Sequence, residues 1–182
     1  MPLHACLIIA VGTILWALAF PIARSKHKGA LTFDRRARWG VALQAIGYTV
    51  LWQGQFWNRS LAPWRICASV ALFAAACALS WTATIALGKQ LRVDAALIEG
   101  HRLVRSGPYG IVRHPIYTSM LAVLLGTGIL IAGWYLLPAG IVLFLVGTAI
   151  RIRVEDSLLE GRFAGEFQQY RRSVKGFIPF IA

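Results

Sequence analysis

The chain has 182 residues, 58% of them hydrophobic and 14% charged, with a formal net charge of +12 and a mean hydropathy of +0.62. A soluble domain carries about a quarter charged residues, so this composition excludes the ordinary soluble class and points to the bilayer. The placement of the basic residues excludes a nucleic-acid surface: six Lys/Arg fall in 24–38, five in 89–113 and six in 151–182, against two in 58–65 and none in 133–135. Basic loops alternate with poor ones, the pattern of a chain that crosses the membrane repeatedly with its rich loops in the cytoplasm.

The first apolar run predicts a span over about 3–22, ending at Pro21. Arg24, Lys26 and Lys28 follow this run, the reverse of a cleaved signal peptide, so the segment is expected to be retained. A second span is predicted over about 39–57, with Trp39, Trp52 and Trp57 near its ends, where amphipathic rings favour the interface. After a turn-like loop at 58–65, a third span over about 66–88 is rich in Ala, Ser and Thr, which suits close packing against other helices.

Residues 116–150 form one apolar stretch of 35 residues. As a single helix it would reach about 52 Å, well beyond a hydrocarbon core of about 30 Å, so it must fold back on itself. Gly133-Trp134, ahead of Pro138, is the natural break, giving spans of about 116–133 and 135–150. In 151–182, Leu158, Leu159, Phe163, Phe167 and Tyr170 recur at helical spacing and predict an amphipathic helix on the cytoplasmic face, stopped near Gly176 and Pro179. Phe177, Ile178, Phe180 and Ile181 are expected to turn back against the membrane surface.

No linker, low-complexity stretch or repeat divides the chain, so one domain over 1–182 is predicted. The fold class is an all-α integral membrane protein with five transmembrane helices, including a C-terminal helical hairpin, plus the cytoplasmic amphipathic C-terminal helix. The charge pattern places it in the cell inner membrane with the N-terminus outside and the C-terminus inside. Cys6, Cys67 and Cys77 lie in apolar runs without CxxC spacing and read as small hydrophobes; His4, His27, His101 and His114 have no metal-ligand spacing.

The chemistry lies at the mouth of the hairpin. Residues 107–119, Gly-Pro-Tyr-Gly-Ile-Val-Arg-His-Pro-Ile-Tyr-Thr-Ser, abut its first apolar half, and Arg151, Arg153, Glu155 and Asp156 follow its second. Ionisable groups at membrane depth are costly, so a dense group at each mouth marks a site on the cytoplasmic side. Arg113-His114-Pro115 ends a loop and starts a helix, whose free N–H groups suit a carboxylate. Arg151 and Glu155 share a helix face at i, i+4. Cations, anions, imidazole and phenols together suit a zwitterionic ligand.

The run His101-Arg102-Leu103-Val104-Arg105-Ser106-Gly107-Pro108-Tyr109, then Arg113-His114-Pro115-Ile116-Tyr117, then Glu155-Asp156 ahead of Phe163-Ala164, resembles the isoprenylcysteine carboxyl methyltransferase family over about 94–182. The first two spans carry no motif of it. The resemblance implies a membrane methyltransferase that uses S-adenosylmethionine without a Rossmann fold. The family's cofactor contacts would fall on His101, Arg102, Leu103, Val104, Tyr109, His114, Pro115, Ile116, Tyr117 and Glu155, with a further polar contact at Asp94. The family's substrate-positioning arginine would fall on Arg151. Ser119 and Ala164 stand where the family usually has Gly, Asp156 where it has a second Glu, and Lys175 where Pro is frequent.

Methyl transfer from a sulfonium is an in-line displacement, in which positioning and water exclusion supply most of the catalysis. A carboxylate acceptor is already ionised at neutral pH and needs no base, whereas a thiol or amine needs one, with His114 and Glu155 as the candidates. The expected acceptor is a lipophilic, isoprenylcysteine-like small molecule or lipidated chain entering from the bilayer, with no nucleic acid and no obligate protein partner. The alternatives are an NADPH-dependent membrane sterol or lipid reductase and a non-catalytic membrane scaffold.

The topology is directly testable. With Cys6, Cys67 and Cys77 changed to Ala, Ser60→Cys should react with an impermeant thiol reagent in intact cells, and Ser173→Cys only after lysis. Labelling of Ser173→Cys from outside would overturn the orientation.

Overall fold

The computed structural model describes residues 3–23, 32–33, 35–54, 61–88, 96–97 and 102–177. Its helices are α1 (Leu3–Ala17), α2 (Ala19–Ala23), α3 (Ala37–Leu51), α4 (Pro63–Leu87), α5 (Pro115–Ile131) and α6 (Leu136–Ser173). A 3₁₀ turn at Gly107–Gly110 precedes α5. The helical expectation holds, with one small addition: β1 (Thr32–Phe33) pairs antiparallel with β2 (Ala96–Leu97), Thr32 opposite Leu97 and Phe33 opposite Ala96. This pairing joins the loop before α3 to the loop after α4, so the two basic loops meet at one end of the bundle.

Leu3–Pro21, Pro63–Leu87 and Leu136–Ser173 are long and apolar enough to cross a membrane by length and composition. Helix α5 is apolar but has 17 residues, and α3 has 15. The predicted break at Gly133-Trp134 is present: α5 ends at Ile131, α6 begins at Leu136, and Trp134 at the turn is 87% exposed.

The second arm of the hairpin differs from expectation. No helix end falls near residue 150; α6 runs on through Arg151, Glu155 and Asp156 to Ser173. The physical reason is local: residues 151–160, Arg-Ile-Arg-Val-Glu-Asp-Ser-Leu-Leu-Glu, contain no Gly or Pro and consist mostly of good helix formers. Polarity changes there, but nothing stops the helix. Helical backbone is lost only at Ala164, at φ 42° and ψ −117°. Beyond it, Phe167 and Tyr170 are buried against the segment before α5 rather than lying free as a separate surface helix.

Helix packing follows the small residues. Helices α3 and α6 approach so closely that a Cβ on Gly40 would lie 2.6 Å from the Gly147 carbonyl, and one on Gly47 would lie 2.8 Å from the Gly140 carbonyl. The pairs are seven residues apart on each helix, two helical turns, so they form one continuous antiparallel contact line. On the other side of the bundle Phe73 of α4 fills the gaps left by Gly12 of α1 and Gly126 of α5. The Ser69 hydroxyl donates to the Gly126 carbonyl at 2.8 Å and Trp16 Nε1 donates to Ser119 Oγ at 3.0 Å. Leu51, Phe73, Leu124, Leu130, Ile131 and Phe144 form the core between these two groups of helices.

Ala164 occupies a backbone region that L side chains rarely adopt, at a position where the resembling family has Gly. A non-Gly residue there costs about 1–2 kcal/mol, partly offset by the greater entropy glycine loses on folding. Ala164→Gly should therefore raise stability by about 1 kcal/mol, measured as an increased thermal midpoint in detergent. A lowered midpoint would show that Ala164 is relaxed as it stands.

Candidate functional site

The site is assembled where α5 begins. Pro115 takes the first helical position, where its missing N–H costs nothing, and His114 precedes it as the capping residue. The backbone of this corner is pinned by the C-terminal segment: Arg113 N donates to the Lys175 carbonyl at 2.8 Å and His114 N to the Gly176 carbonyl at 2.9 Å. Thr118 Oγ1 donates to the Phe177 carbonyl at 2.6 Å, and Phe177 itself is buried in the core.

At 1.5 Å per residue, the 17 residues of α5 and the first 20 of α6 cover about 26 and 30 Å, so the hairpin returns to its starting level near Glu155. The ionised groups meet there. His114 is 7% exposed; its Nε2 lies 2.9 Å from Asp156 Oδ1 and its Nδ1 lies 3.4 Å from Glu155 Oε2. Its ring stacks on Tyr117, with centroids 5.7 Å apart and planes 19° apart. The Tyr117 hydroxyl donates to Glu155 Oε1. Arg151, also 7% exposed, holds its guanidinium carbon 4.9 Å from the centre of the Tyr117 ring and Nη2 3.8 Å from Glu155 Oε1.

A second layer surrounds this one. Arg113 Nη2 lies 3.4 Å from Asp156 Oδ2, with its guanidinium over the Phe167 ring. The Tyr170 hydroxyl donates to the Tyr109 carbonyl at 2.6 Å. Arg105 reaches both the carboxylate and the carbonyl of Glu166 at 2.9 Å.

The structure thus brings together Tyr109, His114, Pro115, Tyr117, Arg151 and Glu155 of the expected residues. Ile116 is half-buried, and its carbonyl accepts from Ser119 Oγ within α5. Leu103 and Val104 are half-buried and Arg102 exposed on the extended segment leading to the 3₁₀ turn. His101 and Asp94 lie outside the described residues, as do Ile178 and Pro179.

Three participants were not singled out as binding residues from sequence. Asp156, placed only as a flanking charge, pairs with both His114 and Arg113. Arg113 was read only as a loop end. Gln44 of α3 is 2% exposed and its Oε1 accepts from Arg151 Nη1 at 3.4 Å. A signal for Gln44 was available: it is an amide inside an apolar run, midway between Gly40 and Gly47.

Ahead of α5, the His114 and Tyr109 side chains are displaced in their titration. Burial pulls the His114 imidazole down, but hydrogen bonding of the ring to the Asp156 and Glu155 carboxylates, and then their charges, outweigh it and hold the ring above its ordinary value. Burial, then the charge of Glu155, pushes the Tyr109 phenol up, so it remains protonated. The corner therefore favours the protonated ring, with Nε2 hydrogen-bonded to Asp156 and Nδ1 turned to Glu155.

A helical bundle with membrane-length apolar helices and a charged seat at one mouth defines an integral membrane protein with a polar site at the end of its hairpin. Residues 64–166 match the phospholipid methyltransferase family, more than half of the chain, and the chain belongs to that family. It is 33% identical over 84 residues to the cobalt-zinc-cadmium resistance protein CzcN of Cupriavidus metallidurans, covering 46% of this chain and 38% of that one. It is 31% identical over 87 residues to protein-S-isoprenylcysteine O-methyltransferase B of Arabidopsis thaliana, covering 46% of this chain and 42% of that one. The matches span less than half the length of these curated relatives. The likeness to the isoprenylcysteine methyltransferases is thereby borne out, and α1, α2 and α3 lie ahead of the family match.

The His114 shift fixes a pH dependence. A raised folded pKa means that the stabilisation is fully present below the unfolded value of about 6.5 and is lost as pH rises through the folded value. The thermal midpoint in detergent should fall as pH rises above about 6.5, and His114→Gln should flatten that fall. An unchanged slope in the variant would place the titration elsewhere.

Proposed function

We propose that the chain is an S-adenosylmethionine-dependent methyltransferase that methylates the carboxylate of a lipophilic, isoprenylcysteine-like acceptor. The family match and the isoprenylcysteine methyltransferase relative support the reaction class. The observation that carries the acceptor type is that the candidate bases at the described corner are already paired. His114 is turned to two carboxylates, with Nε2 hydrogen-bonded to Asp156, Glu155 already accepts from Tyr117, and Asp156 is paired twice. An acceptor that must lose a proton would have to draw one of these groups out of its pairing, whereas a carboxylate needs no base.

The residues fit the cofactor. Arg113 Nε and Nη1 are buried with no hydrogen-bond partner among the described residues, an opening for an anionic group such as the cofactor's own carboxylate. Glu155, with the faces of Tyr117 and Tyr109, offers negative charge and π-density to a cation. Leu103, Val104 and Ile116 offer half-buried apolar walls, and His101, Arg102 and Pro115 complete the set. S-adenosylmethionine supplies an electrophilic methyl group on a sulfonium.

The protein's work is to orient and to exclude water. Arg151 presents a guanidinium fork to the acceptor carboxylate, and its stacking on Tyr117 fixes the plane of that fork. Opposite charges that neutralise each other during transfer are favoured in a low-dielectric seat, and membrane burial provides one. In this reading α3 and α5 span together with the three longer helices, making five crossings, with the N-terminus outside and the site on the cytoplasmic side of the inner membrane. The acceptor reaches the mouth from the bilayer.

His114→Ala and Glu155→Ala should each weaken S-adenosylmethionine binding at least about tenfold, some 1.4 kcal/mol, in calorimetric titration. Arg151→Lys should keep cofactor affinity within about threefold and cut turnover about a hundredfold, because a lysine cannot reproduce the planar fork. Loss of cofactor binding in Arg151→Lys with turnover per bound cofactor intact would move Arg151 into the cofactor pocket.

A further inference from the structure

Helix α3 lies outside residues 64–166 and carries none of the motif, yet it builds half of the seat around Arg151. A Cβ on Gly40 would lie 2.5 Å from Arg151 Cγ, so the arginine stem runs through a groove that only glycine leaves open. One turn further along α3, Gln44 reaches the head of the same side chain. Its Nε2 donates to Thr148 Oγ1 at 2.8 Å, and its Oε1 accepts from Arg151 Nη1 at 3.4 Å. A guanidinium has only donors, so the amide must turn its oxygen to Arg151, and the Thr148 hydroxyl holds it in that orientation. All three residues are buried.

We propose that Gln44 is a positioning residue that sets the acceptor specificity of this site for an anion, by fixing the Arg151 guanidinium through a neutral contact. The proposal rests on the carboxylate-acceptor reading given above. The reason for an amide is electrostatic. A carboxylate at position 44 would hold the guanidinium equally well but would add a second negative charge to that of Glu155, 3.8 Å from Arg151 Nη2, and would repel an incoming anion. An amide holds the guanidinium without adding that charge. Glu155 does not fill this role, because its oxygens already carry Tyr117 and His114 and it stands further off, 3.8 Å from Arg151 Nη2. Gln44 therefore pins Arg151 from α3 and Tyr117 supports it from α5.

The test compares two probes on the purified full chain in detergent: N-acetyl-S-farnesylcysteine, a free acid, and its methyl ester, both titrated calorimetrically with S-adenosylmethionine affinity measured in parallel. The unsubstituted protein should bind the acid at least about tenfold more tightly than the ester. Gln44→Leu, and separately Gln44→Glu, should reduce that preference to within about threefold, while the affinities for the ester and for S-adenosylmethionine stay within about twofold. A preference retained in Gln44→Leu overturns the role of Gln44 alone, and so does a loss of acid and ester affinity together, the outcome of a purely structural residue. No preference in the unsubstituted protein overturns the carboxylate reading, and this inference with it. Should Gln44→Leu not fold, Thr148→Val reads the same point, since it frees the amide to turn; an acid preference undiminished in it overturns the proposal.

Discussion

The interaction on which the rest depends is the His114 ring set between two adjacent carboxylates. Residues 155 and 156 point about 100° apart around a helix, so a single-headed cation could not serve both. Imidazole carries its two nitrogens on different edges, and each faces one carboxylate: Nδ1 lies 3.4 Å from Glu155 and Nε2 2.9 Å from Asp156. Buried charges are tolerated only when paired and hydrogen-bonded, and breaking one partner of such a set costs far more than the set contributes. The start of α5 and the middle of α6 are thereby locked to each other.

Everything else at the mouth is arranged around that lock. Glu155, anchored on one side by His114, accepts from Tyr117 and lies near Arg151. Asp156, anchored on the other side, holds Arg113 over Phe167. The C-terminal segment closes the corner from behind by taking the backbone donors of Arg113 and His114. Two tyrosines separate the layers: Tyr117 faces Arg151, and Tyr109 offers its carbonyl to Tyr170. The arrangement gives each carboxylate its own guanidinium, Arg113 at Asp156 and Arg151 at Glu155.

The glycine contact line between α3 and α6 makes this possible. Close approach at Gly47 and Gly140 brings the helices near enough for Gln44 to reach Thr148 and Arg151, and the missing side chain at Gly40 gives the arginine its path. Within the bilayer, where no hydrophobic drive favours one helix pair over another, such close backbone packing and a few buried hydrogen bonds decide which helices associate.

Composition and loop charge by themselves determined that the chain is helical and membrane-bound, and the length of the 116–150 run forced the hairpin and its turn at Gly133-Trp134, because a helix's rise and a bilayer's thickness are fixed quantities. The motif residues His114, Tyr117, Arg151 and Glu155 were legible for a related reason: ionisable and phenolic groups beside an apolar run need a purpose. The end of α6 was not legible, because polarity changes at residue 151 while helix propensity does not, and only packing against Tyr109 and Arg113 shows where the helix turns. Nor were the partners of those motif residues. That Asp156 rather than solvent faces His114, and that Gln44 of a helix without any motif meets Arg151 across 107 residues of chain, depends on which helices lie side by side. Local periodicity records which face of a helix is apolar; it does not record which neighbour that face meets, and the tertiary structure alone decided it.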